Sequence, residues 1–140
     1  MQSSKKHWIC FLARKSLFKL IDCFSTACHS VDSATYTGLL QSFTYSNSLN
    51  LGKSIHAHMI RNDFRQNVFL QNNLLNMYCK CGDISHAQHL FDGMIKKDVV
   101  SWNALVSGCF QFGFFEKALS VFICARKAQV SLDPSLMPVL

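Results

Sequence analysis

The side chains best suited to chemistry in this sequence lie close together: Cys79 and Cys81 are followed by His86 and His89. Cysteine and histidine are zinc's usual ligands. The spacing is against a site, because Cys79 falls at the end of one helical stripe, Cys81 lies beside a turn, and two histidines three residues apart would have to converge on both. Packing thiols and no metal are expected. His56 and His58 point to different sides of a helix and fare no better. A catalytic site would need a nucleophile with its base, or the His-x-Glu and Pro-Cys-x-x-Cys signature of a zinc deaminase. Neither pattern is present, so neither a catalytic residue nor a cofactor is expected. Seven cysteines make an odd count, and no secretory leader with a small-residue cleavage site is apparent. Reduced thiols in an intracellular compartment follow.

The elements that must position any functional residue are set by an internal repeat. Shifting the chain by 31 residues pairs Val68 with Val99, Asn72 with Asn103, Leu74 with Leu105, Gly82 with Gly113, Ala87 with Ala118 and Phe91 with Phe122, without a gap. A shift of 35 finds a fainter copy, in which Leu39 and Leu40 fall on Leu74 and Leu75, Gly52 on Ala87 and Ile55 on Leu90. The expected units are 33–67, 68–98 and 99–133, with a truncated repeat at 134–140, inside an array spanning 31–140. Each unit carries two helical stripes around a turn. Trp102, Leu105, Val106, Cys109 and Phe110 recur at i, i+3, i+4, i+7 and i+8, and Phe115, Ala118, Leu119 and Phe122 are expected to rebuild that face after Gly113. The small residue shared by Gly52, Ala87 and Ala118 marks a close helix approach. A hairpin of about 30 residues cannot bury both stripes alone, so neighbours must stack. The fold class is all-α, a solenoid of stacked antiparallel helical hairpins.

Composition bounds what such a solenoid could bind. The net charge of +6 is uneven: residues 1–30 hold five basic side chains against Asp22 alone, whereas the rest of the chain holds nine against seven acids. Charge by itself is thin support for nucleic-acid binding in the body. Trp8, Phe11, Leu12, Lys15, Phe18 and Lys19 sit at helical spacing in a basic, acid-poor segment, the composition of an organellar transit peptide; an ordinary N-terminal extension is the alternative. Its arginine and lysine content leans to the mitochondrion, with the plastid second. The longest apolar run, Trp8 to Ala13, is far short of the roughly 20 residues a membrane span needs, so no membrane partner is expected.

Three strings carry a resemblance. They are Asn72-Asn73-Leu74-Leu75-Asn76-Met77-Tyr78-Cys79-Lys80-Cys81-Gly82-Asp83, Ala87-Gln88-His89-Leu90-Phe91-Asp92 and Asp98-Val99-Val100-Ser101-Trp102-Asn103. Over residues 32 to 140 the chain resembles the pentatricopeptide repeat family of land plants. Its alternation of 35, 31 and 35 residues is similar to the subclass with long, short and standard motifs. The resemblance implies sequence-specific binding of single-stranded organellar RNA, one base per repeat, in RNA processing or editing performed catalytically by others.

In that family the base readers are the fifth residue of the first helix and the last residue of the motif. By register these are Asn72 with Asp98 and Asn103 with Asp133, pairs that imply uracil. The first unit offers Thr37 with Asn67, implying adenine. Motif-opening apolar residues sandwich bases; Val68 and Val99 fit that role and Ser33 departs from it. Taken by themselves, Asn72 and Asn103 read equally as polar residues on an exposed helix edge, and Asp98 and Asp133 as helix caps. Those roles do not exclude base contact. Expected partners are single-stranded RNA, RNA-processing or editing proteins, and a second copy of the chain. The rival readings are a protein-interaction solenoid and a truncated paralogue without activity.

Overall fold

The computed structural model describes residues 33–128. The basic leader, Asp133 and residues 134–140 lie outside the described residues. Three helical hairpins follow one another: α1 (Ser33–Ser46) with α2 (Leu49–Arg61), α3 (Val68–Lys80) with α4 (Ile84–Gly93), and α5 (Val99–Gln111) with α6 (Phe115–Lys127). A 3-10 turn, Phe64–Gln66, leads into α3. The first helices stack α1 on α3 on α5, while α2 packs against α3 and α4 against α5. This is a helical-hairpin solenoid, and no strand occurs among the described residues.

Turn chemistry divides each hairpin. Gly82 and Gly113 adopt φ of 82° and 81°, a left-handed backbone that side-chain-bearing residues seldom take, and each ends its unit's first helix. In the first unit Asn47 takes that conformation at φ 55°. Asparagine tolerates it better than most residues.

The core runs continuously through the stack. Leu39, Leu40 and Phe43 of α1 meet Leu70, Leu74 and Leu75 of α3 and then Leu105, Val106 and Cys109 of α5 in one buried cluster. Close approach is achieved where bulk is missing. A Cβ on Gly108 of α5 would stand 2.6 Å from Cys79 Cβ on α3, and one on Gly52 of α2 would run into the Met77 side chain. Ala87 and Ala118, in the register of Gly52, are fully buried.

The stripe expected in α6 is rotated. Ala118, Val121 and Ala125 are its buried residues and Phe122 packs half-buried on the core, whereas Phe115 is 59% exposed and Leu119, with Phe110 of α5, is exposed too. Among the described residues α6 packs only on α5, which covers the small-residue face and leaves the bulky one open.

Two tyrosine–histidine pairs tie α2 to the first helices on either side. His58 Nδ1 lies 2.5 Å from the hydroxyl of Tyr36 on α1, and His56 Nδ1 lies 2.9 Å from that of Tyr78 on α3. Burial, then the nearby His86, holds His56 below the ordinary 6.5; burial, then Arg61, does the same for His58.

Gly108→Ala is expected to lower stability by about 1–3 kcal/mol, since a side-chain root and backbone must shift to admit the methyl. Gly38→Ala, where the methyl would meet nothing within 4 Å, is expected to raise stability by about 0.5–1 kcal/mol through helix propensity. Thermal melting of the two variants beside wild type checks both signs. A second expectation concerns pH. Imidazoles lowered in the folded state bind protons more readily when unfolded, so stability is fully present above about pH 6.5 and declines as pH falls below it. Urea midpoints at neutral pH and near pH 5 should differ, and the difference should shrink in a His56→Gln, His58→Gln variant.

Candidate nucleic-acid interface

The loop after α4 delivers Asp98 in extended conformation, φ −104° and ψ −179°, to the start of α5. There its carboxylate caps the helix: Ser101 N–H donates to Asp98 Oδ1 at 3.0 Å, and Ser101 Oγ accepts from Asp98 N–H at 3.3 Å. Each of these bonds satisfies a backbone donor that a helix start leaves without an intrahelical partner.

Asn72, the fifth residue of α3, reaches this cap from the neighbouring unit. Its Nδ2 donates to Asp98 Oδ1 at 3.0 Å, and its Oδ1 accepts from Ser101 Oγ at 2.5 Å. Asn72 is only 8% exposed, so its amide is largely withdrawn from solvent. Burial on its own would raise the Asp98 carboxyl. Hydrogen bonds from Ser101 N–H, the Asn72 amide, the Ser101 hydroxyl and Asp98's own N–H outweigh it, and the group lies below the ordinary carboxylate value. Asp98 is therefore an anion at neutral pH and can only accept. That fixes which end of the Asn72 amide faces it.

The other sequence candidates fall differently. Asn103 occupies Asn72's place on α5, and its Oδ1 is buried with no hydrogen-bond partner among the described residues. Its register mate Asp133 lies outside them. Thr37 Oγ1 donates to Ser33 O within α1 at 2.9 Å, while Asn67 caps α3 by accepting from Leu70 N–H at 3.2 Å. No hydrogen bond joins Thr37 to Asn67. Val68 packs half-buried against the core, whereas Val99 is 41% exposed at the head of α5. Ser101 was not singled out from sequence. Its signal was a serine three residues after a capping aspartate.

The cysteines and histidines do not share a centre. Cys79 is buried beside Gly108, and burial together with Cys109 pushes its thiol up to about 12. Cys81 Sγ sits 4.0 Å from Met77 Sδ. His86 Nδ1 is held by Asp83 at 2.8 Å, and Lys53 Nζ approaches the same carboxylate at 3.3 Å. The His86 ring stacks on Tyr78 at 5.6 Å. Asp83 is the cap of α4, so this cluster ties α2, α3 and α4 together. Beside it a groove of about 400 Å³ opens between α2 and α4, sharing His86 and lined also by His56, Met59, Leu74, His89 and Leu90 among others.

A profile of the PPR repeat matches residues 72–99 and 100–130, starting at the amide that meets Asp98 and running through α6. The chain belongs to the pentatricopeptide repeat family. Three pentatricopeptide repeat-containing proteins of Arabidopsis thaliana illustrate the likeness. One is 44% identical over 104 residues, 74% of this chain and 14% of the relative. One named chloroplastic is 41% identical over 86 residues, 61% of this chain and 10% of the relative. One named mitochondrial is 38% identical over 91 residues, 65% of this chain and 12% of the relative. The chain thus spans a small part of the length of the relatives it matches.

For a pentatricopeptide repeat built this way, Asp98→Ala removes a cap and strands a buried amide. A loss of about 1–2 kcal/mol is expected, read as a lower denaturant midpoint; Asp92→Ala, on the exposed side of α4, should change it little.

Proposed function

We propose that this chain binds single-stranded RNA as a pentatricopeptide repeat array of the subclass with long, short and standard motifs, in organellar RNA processing or editing. On this reading it performs no catalysis of its own. Asn72 with Asp98, and Asn103 with Asp133, read uracil, and Val99 and Val68 flank the bases. Residues 1–30 act as the organellar leader, to the mitochondrion first and the plastid second; relatives named for each organelle support an organelle without choosing between them.

The observation that carries this reading is the amide of Asn72 gripped across the joint between units. With Nδ2 committed to Asp98 and Oδ1 to Ser101, the amide retains one N–H and one lone pair that these bonds do not use. Uracil offers the complement, an N3–H donor beside a carbonyl acceptor. One repeat reading one base through a few side chains is how such helical arrays recognise single strands. The groove between α2 and α4 favours a second reading, a protein-interaction solenoid, because its lining is mostly apolar and comes largely from the second helices, with Gln71 and Leu74 of α3.

Binding of the 140-residue chain to single-stranded RNA pools at two salt concentrations tests the choice. Enrichment of uracil-containing sequences is expected, with preference lost in an Asn72→Ala, Asn103→Ala double variant. Absence of binding, or binding indifferent to the double substitution, would turn the assignment to the protein-interaction reading.

A further inference from the structure

Ser101 is fully buried, and it stands where the second unit carries leucine and the first carries threonine. Three residues after the position that precedes each unit the sequence has Thr35 after Asp32, Leu70 after Asn67, Ser101 after Asp98 and Leu136 after Asp133. Leu70 is likewise fully buried, so the site at the head of α3 favours an apolar side chain. A hydroxyl in such a place must be hydrogen-bonded to be tolerated. Capping does not demand it, because α3 starts on Asn67 and Leu70 with a side-chain cap and no hydroxyl.

We infer that Ser101 is a positioning residue for base reading, its hydroxyl fixing the Asn72 amide so that the reading unit at this joint has three members, Asn72, Asp98 and Ser101. The inference rests on the RNA reading above and names what sharpens it.

The hydroxyl has one proton and two oxygens within reach, Asn72 Oδ1 at 2.5 Å and Asp98 Oδ1 at 3.0 Å. Asp98 Oδ1 already accepts from Ser101 N–H and from Asn72 Nδ2. The shorter contact takes the proton, and the serine oxygen meanwhile accepts from Asp98 N–H. The amide is thus held at both ends, its nitrogen by an acceptor-only carboxylate and its oxygen by a donating hydroxyl. Its donor and acceptor are presented in one order. Cytosine reverses the uracil pattern, with an unprotonated N3 beside an amino group, and would need the amide turned over. Ser101 therefore favours uracil over cytosine at this base. At Asn103 the acceptor oxygen lacks such a donor among the described residues.

The test uses the full chain and single-stranded RNA oligonucleotides identical except for one uracil or cytosine in an adenine background. Ser101→Ala is expected to lower the uracil-to-cytosine affinity ratio about fivefold, the worth of one net hydrogen bond, and Ser101→Thr to restore it. All proteins are compared at a temperature where melting shows them folded. Without RNA, the Asn72 side-chain amide protons followed by NMR should exchange with solvent severalfold faster in Ser101→Ala and at the wild-type rate in Ser101→Thr. A wild type without base preference overturns the RNA reading and the inference together. A preference abolished by Asn72→Ala but kept in full by Ser101→Ala overturns the inference alone, as does amide exchange that the alanine leaves unchanged.

Discussion

Helix α3 has to be covered on two sides. Leu70, Gln71, Asn72, Leu74, Leu75, Met77, Tyr78 and Cys79 are all buried, far more than one antiparallel partner can cover. The stacking of α1 and α5 against it follows from that demand, and so does the small-residue approach of Gly108 to Cys79. Apolar burial at roughly 25 cal/mol per Å² supplies the drive, and no single hairpin of this length offers enough of it.

Because α5 is pressed onto α3, the start of α5 is brought beside the fifth residue of α3. The contact between Asn72 and the Asp98–Ser101 cap is a consequence of that packing. It also means that helix capping and presentation of the amide use the same carboxylate oxygen, Asp98 Oδ1. Stability of the joint and order in the amide are coupled. A preorganised edge loses little freedom when a partner arrives, which is where such an arrangement gains affinity.

The second helices do other work. Through His56 and His58, α2 holds Tyr78 and Tyr36, hydroxyls of two different units, and through Lys53 it reaches the cap of α4 at Asp83. Polar ties within and between units keep register where the apolar core is permissive, since a sliding helix would leave buried hydroxyls and imidazoles without partners. Between α2 and α4 the packing stays open, which leaves the groove.

Much of this was legible before any coordinates. Repetition at 31 and 35 residues with apolar residues at helical spacing determines stacked hairpins, because only neighbours can cover two stripes. Gly82 and Gly113 mark the turns, because few other residues accept their backbone. The family resemblance, carried over by register, implied Asn72 and Asp98 as a base-reading pair. What sequence could not show is which side chains meet across units, because the amide of Asn72, the hydroxyl of Ser101 and the rings of His56 and Tyr78 are ordinary polar groups until packing removes water from them. The exposed face of α6 belongs to the same class: Phe115 and Leu119 fit the apolar stripe as well as Val121 and Ala125 do. Periodicity determined that α6 has a buried face; only the neighbour packed against it decided which residues form that face.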